Sequence, residues 1–107
     1  GSCAQQVAAL DAEITKHAEW SGKVMAILVN NGGASGGLTN CSNITDVPIF
    51  QDTAQGTLWT ALGATSYNAL IFDQDGVLVH KMANAYFSSN PAALAEVTTV
   101  VNGLLGL

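Results

Sequence analysis

The sequence predicts an α/β fold in which helices flank a central mixed sheet. Three observations support this. Apolar residues recur at helical spacing near the start of the chain, a continuous apolar run follows from Lys23 to Asn30, and a hairpin precedes a capped helix near the end. The 107 residues, 49% of them hydrophobic, suffice for one core. We therefore expect a single domain over residues 1–107.

The first predicted helix runs from Cys3 to about Glu19 and ends at Ser21-Gly22, where glycine suits a left-handed cap. Its apolar positions at helical spacing are Val7, Leu10, Ile14 and Ala18. The run from Lys23 to Asn30 is typical of a strand buried on both faces, as in a parallel sheet.

The middle of the chain predicts a long loop and two short elements. Residues 31–42 are rich in Gly and Ser and predict a loop. Pro48-Ile49-Phe50 indicates a short strand, and Asp52-Thr53 indicates a helix start. Thr57 to Leu62 carries its apolar side chains on one helical face and is closed by Gly63.

The C-terminal part predicts a hairpin and a helix. Asn68 to Asp73 and Val77 to Lys81 form the two strands, with a turn ending at Gly76 between them. In the last helix Asn90 is the expected N-cap and Pro91 the first residue. Its expected buried stripe comprises Leu94, Val97, Val101 and Leu104.

Apart from the short strand at residues 48–50, the order of elements is therefore helix, strand, helix, strand, strand, helix. One strand ahead of Cys3 would complete the βαβ–ββα order of the thioredoxin fold. Without that inner strand the sheet would expose a row of unpaired backbone groups. We expect an N-terminal segment, a second copy exchanging strands or a rearranged element to supply it.

Composition excludes some classes of partner. The net charge is −5 with three Lys and Arg residues in all, so the chain cannot form a basic patch for nucleic acid. No apolar run reaches the roughly 20 residues that span a bilayer. Low charge and many Gly, Ser, Thr and Asn residues favour an exported protein, periplasmic or secreted, and a mature or trimmed exported chain would show no signal peptide.

Several segments, in order, resemble a known family. These are Leu28 to Gly32, Pro48 to Asp52, Leu58 to Gly63 and Ala69 to His80. Together they resemble the N-terminal domain of selenoprotein P and its bacterial relatives, over a match from Cys3 to about His80. The resemblance implies a thioredoxin-like fold with a Cys/Sec-x-x-Cys redox motif between the first strand and the first helix.

Carried onto this chain, the resemblance makes Cys3 the second, resolving cysteine of that motif. The nucleophile would be the residue directly ahead of Gly1. Tyr67 stands about where many thioredoxin-fold enzymes place a cis-proline facing the thiols. In the alternative interpretation Cys3 is a half-buried terminal cysteine, and Gly1-Ser2 is a cleavage remnant.

The remaining candidate groups have simpler interpretations. Cys41 lies in the predicted loop and is either a secondary thiol, bonded to Cys3 or free, or a cysteine without a catalytic role. His17 and His80 are expected to be structural. The spacing of the Cys and His residues does not predict a zinc site, and we expect no cofactor beyond an external thiol reductant.

Two functions follow from the sequence. The first is a thiol–disulfide oxidoreductase or thiol-dependent peroxidase, acting on a disulfide or peroxide substrate, with Cys3 closing the disulfide. The second is a catalytically inactive thioredoxin-fold interaction or structural module. A cysteine or selenocysteine directly ahead of Gly1 would distinguish the two.

Overall fold

The structure is a computed structural model that describes residues 2–30, 47–65 and 67–107, with side chains from residue 5 onwards. The whole of the predicted Gly/Ser-rich loop, residues 31–42 with Cys41, lies outside the described residues. Within the described ranges no helix combines the length and the apolar character needed to cross a membrane.

The first helix is shorter than predicted. Helix α1 spans Ser2–Lys16, and a separate 3₁₀ turn follows at Ala18–Trp20. His17 interrupts them because its backbone is extended, with φ −88° and ψ 93°. The chain then turns at Gly22, whose φ of +72° is the left-handed conformation expected there.

Strand β1 spans Leu28–Asn30 and pairs in parallel with β2, which spans Ile49–Gln51. The prediction of a strand starting at Lys23 is wrong because the ladder with β2 covers only residues 28–30. The prediction of burial on both faces fails as well. Met25, inside the apolar run, is 74% exposed.

Helix α2 spans Thr57–Leu62 and lies between two left-handed glycines, Gly56 and Gly63. The closing role predicted for Gly63 is confirmed. The predicted start at Asp52-Thr53 is wrong, because residues 52–56 form turns ahead of the helix. Asp52 reaches α2 through its side chain instead.

Strands β3, Ala69–Phe72, and β4, Leu78–Met82, form the predicted antiparallel hairpin. The Asp73 N–H donates to the Val77 carbonyl at 2.9 Å and closes the loop. Gly76, at φ +80°, supplies the positive φ that this turn requires.

The last helix, α3, spans Pro91–Leu105 and begins as the sequence predicts. Asn90 Oδ1 accepts a hydrogen bond from the Ala92 N–H at 3.1 Å, and Pro91 occupies the first turn. The predicted stripe is confirmed at Val97 and Val101, which are buried. It is wrong at Leu104, which is 44% exposed.

The core lies between the 3₁₀ turn, the chain after β4 and one face of α3. Trp20 is its largest fully buried side chain, at 1% exposure. The other buried members are Met82, Ala85, Phe87, Ala93, Val97 and Val101. Helix α1 packs against this core through Ala9, Leu10 and Ile14.

The described strands form two separate two-stranded sheets, β1–β2 and β3–β4. The prediction of a mixed α/β domain is therefore confirmed, with three α-helices in the described part of the chain. The predicted central sheet is not seen there, because no ladder joins the parallel pair to the hairpin within the described residues.

Candidate functional site

Cys3, the predicted redox residue, lies in the first turn of α1. In such a turn the backbone N–H groups have no partner within the helix, and they form the positive end of the helix dipole. Both features favour a thiolate over a thiol. The prediction that Cys3 opens the first helix is therefore confirmed to within one residue.

One helical turn beyond Cys3, Gln6 fixes the start of α1 to the chain ahead of α3. The buried Gln6 side chain donates through Nε2 to Ser88 Oγ at 2.8 Å. Its Oε1 accepts from the Ser88 N–H at 2.7 Å. This two-bond contact holds the first turns of α1 beside residues 85–88.

Tyr67 also contacts residues 85–88, the segment that Gln6 binds. Its carbonyl accepts from the Ala85 N–H at 2.8 Å, and its ring stacks on Tyr86 with centroids 4.6 Å apart. Tyr67 also holds a φ of +58°, which is uncommon for a residue with a side chain. Residues 85–88 therefore connect Tyr67 to the start of α1, which the sequence could not show.

The two histidines belong to other parts of the fold. His17 follows the far end of α1, about 20 Å along the helix axis from Cys3 at the usual rise. His80, on β4, pairs through Nε2 with Glu96 Oε2 of α3 at 2.6 Å. Both histidines therefore pair with glutamate side chains in this structure. Among the described residues no group of three or more His, Cys, Asp or Glu side chains is arranged to hold a metal ion.

Asp52 is a buried carboxylate that sequence reasoning placed only as a helix start. Its Oδ1 accepts from the N–H groups of Thr53 and Leu58, at 2.7 and 2.9 Å, and its Oδ2 from Trp59 at 2.9 Å. Desolvation raises the pKa of Asp52, but the three N–H donors outweigh it and hold that pKa below its ordinary value. The carboxylate thus caps α2. The sequence did not predict this role because Asp52 lies five residues ahead of the first residue of the helix.

The chain was compared with known protein families, with characterised proteins and with solved structures, and no match was found.

Proposed function

We propose that this chain is a thioredoxin-like redox domain, a thiol–disulfide oxidoreductase or thiol-dependent peroxidase in which Cys3 is the resolving cysteine. The observation that carries the proposal is the position of Cys3 in the first turn of α1. That helix leads through the 3₁₀ turn into the parallel pair β1–β2, the order in which thioredoxin-like domains mount their thiols.

The proposed chemistry takes two steps. A thiolate or selenolate directly ahead of Gly1 attacks a substrate disulfide, giving a mixed disulfide and a released thiolate. With a peroxide it instead attacks one oxygen and breaks the O–O bond, giving a sulfenic or selenenic acid and, after proton transfer, a released alcohol or water. The Cys3 thiolate then attacks that sulfur or selenium. The new bond to Cys3 expels the substrate thiolate or, after proton transfer, water, and an external dithiol returns two electrons.

The contacts of Tyr67 support the same arrangement. Tyr67 and Gln6 both bind residues 85–88, so the position that resembles the cis-proline site is tied to the start of α1. In this proposal a half-buried tyrosine, stacked on Tyr86, takes the place of proline beside the substrate.

An inactive interaction module is the second candidate, favoured by apolar side chains at the end of the hairpin. Phe72, Val77, Leu78 and Val79 are all exposed. Consecutive exposed apolar residues on one hairpin are unusual for a surface without a partner. In this case the domain binds another protein and carries out no redox turnover.

Either candidate is compatible with assembly through a further strand. The Leu28 N–H donates to Pro48, and the Asn30 carbonyl accepts from Asp52, so these two residues face β2. In a parallel ladder the backbone groups of Val29 then face the opposite edge, where its carbonyl accepts from the Trp59 indole at 3.3 Å. We propose that a strand from an N-terminal segment or from a second copy pairs at this edge.

A chain with one cysteine added directly ahead of Gly1 tests the redox proposal. It is compared with the unextended chain for insulin reduction and for peroxide consumption. The extended chain is expected to turn over, and Cys41→Ser to leave turnover unchanged. Cys3→Ser in the extended chain should stop turnover at a mixed disulfide with insulin and at a sulfenic acid with peroxide. Equal inactivity of both chains, with no effect of Cys3→Ser, would reject the redox function and favour the interaction module.

A further inference from the structure

His17 sits between two carboxylates and above an indole ring. Its Nε2 lies 2.8 Å from Glu13 Oε2, and its Nδ1 lies 3.0 Å from Glu19 Oε1. The imidazole stacks on Trp20 with ring centroids 4.0 Å apart and planes 17° apart. The ring is therefore held on both edges and on one face.

This geometry determines the protonation state that fits. An ionised carboxylate only accepts hydrogen bonds, whereas a neutral imidazole carries one N–H donor and one acceptor. Hydrogen bonds to both Glu13 and Glu19 thus require an N–H on each ring nitrogen, which is the imidazolium ion. A cation stacked on an indole gains a cation–π contact, and His17 also follows the negative end of α1.

The charges around the ring support the same state. Burial raises the pKa of Glu13, but hydrogen bonds from Lys16 and His17 outweigh it and leave that pKa below its ordinary value. A backbone hydrogen bond, followed by the one from His17, lowers the pKa of Glu19. Both carboxylates thus stay ionised down to a lower pH than usual, and their contribution is lost only on acidification below that range.

In the part of the chain that the structure describes, the opposite wall of the groove beside His17 carries no ionisable group. The side chains that α3 and the chain after the 3₁₀ turn contribute to the lining of this groove are all uncharged. These side chains are Pro91, Leu94, Ala95, Thr98, Thr99 and Val24. Among the described residues, the charged groups facing the ring are therefore Glu13, Glu19 and Lys16.

We propose that His17 is a proton-controlled latch that fastens the end of α1 to the core through Trp20. The protonated ring joins Glu13 of α1 to Glu19 of the 3₁₀ turn and covers the indole. The Trp20 N–H in turn donates to Asn102 Oδ1 of α3 at 2.8 Å. The latch thus connects α1, the 3₁₀ turn and α3, and it is tight when the imidazole is protonated.

When the His17 ring loses one proton, it can keep a hydrogen bond to only one of its two glutamate partners. Glu13 is 14% exposed and also pairs with Lys16 at 3.2 Å, whereas Glu19 is 47% exposed and can be solvated. The neutral ring therefore keeps Nε2–H on Glu13 and releases Glu19 to water. The cation–π contact is lost at the same time, so the turn around Trp20 opens more often.

Exchange of the two indole N–H groups with deuterium, followed by NMR, measures this opening. The Trp59 indole donates to Val29 outside the latch and serves as the internal reference for base catalysis. From about pH 5.5 to about pH 8, the ratio of Trp20 to Trp59 exchange rates is expected to rise about two- to fivefold. That factor is the one expected for loss of one partly exposed cation–π contact.

Two substitutions make the test specific. In His17→Gln the ratio should start high and stay constant with pH. His80→Gln removes the other histidine, which pairs with Glu96, and should keep the full response. A constant ratio in the unsubstituted chain, a response that persists in His17→Gln or one that disappears in His80→Gln would each overturn the latch.

Discussion

Replacement of Trp20 by Phe should be one of the most damaging conservative changes in this chain. Trp20 is almost fully buried, and its indole donates to Asn102 Oδ1. Phe lacks the donor, which removes about 1 kcal/mol for the hydrogen bond. Phe also lacks two of the buried ring carbons of Trp, which removes about 2 kcal/mol at about 0.8 kcal/mol per buried carbon. The expected loss in the free energy of unfolding is about 3 kcal/mol.

Urea unfolding followed by circular dichroism measures this loss. With a slope of about 2 kcal/mol/M, the midpoint should fall by about 1.5 M. Trp59→Phe is the matched control. Trp59 is only half-buried and its indole hydrogen bond to Val29 is longer, at 3.3 Å, so the same substitution there should cost less.

A double-mutant cycle with Asn102→Ala separates the two contributions of Trp20. The coupling energy should be about 1 kcal/mol, the share of the hydrogen bond. A loss below about 1 kcal/mol in Trp20→Phe, or one no larger than that of Trp59→Phe, would refute the reasoning. It would mean that Trp20 does not anchor the core.

Three further predictions concern hydrogen bonds and turns. Asp52→Asn should lower the melting temperature at neutral pH. Because the folded-state pKa of Asp52 is lowered, this difference should shrink as the pH falls through that pKa and the carboxylate protonates. Gln6→Ala should cost about 1–3 kcal/mol in urea unfolding, since it leaves buried polar groups unpaired, whereas Gln5→Ala on the exposed face should cost little. Gly76→Ala should destabilise by about 1 kcal/mol at its φ of +80°, and Gly103→Ala, inside α3 with open space around it, should stabilise by about 1 kcal/mol in thermal unfolding.

Local signals predicted the ends of elements well where one residue determines the backbone. Asn90 and Pro91 placed the start of α3, and Gly63 and Gly76 placed a helix end and a turn. These predictions held because capping and positive φ depend on a few adjacent atoms.

Predictions that depended on distant partners held less well. The apolar run from Lys23 indicated a long buried strand, yet only Leu28–Asn30 has a ladder partner in the described structure. Leu104 fits the helical stripe of α3, but it is exposed, and its neighbour Leu105 packs against the core instead. Apolar periodicity shows which face of an element can be buried. How much of that face is buried depends on the neighbouring elements.

The candidate site shows the same difference between local signals, which the sequence contains, and contacts between distant residues, which it does not show. The sequence placed Cys3 at the head of a helix, because helix boundaries follow from local pattern. The link of Gln6 and Tyr67 to residues 85–88 appeared only in the tertiary structure, because it joins side chains far apart in the chain.

The sequence by itself therefore determined the α/β class, the caps and turns, and the position of Cys3 in its helix. Only the tertiary structure decided that the described strands form two separate pairs, that Asp52 caps α2 and that His17 lies between Glu13 and Glu19 on Trp20. The physical reason is the distance along the chain over which each kind of interaction acts. Backbone preferences act over a few residues, whereas strand pairing and side-chain networks depend on which distant segments the core brings together.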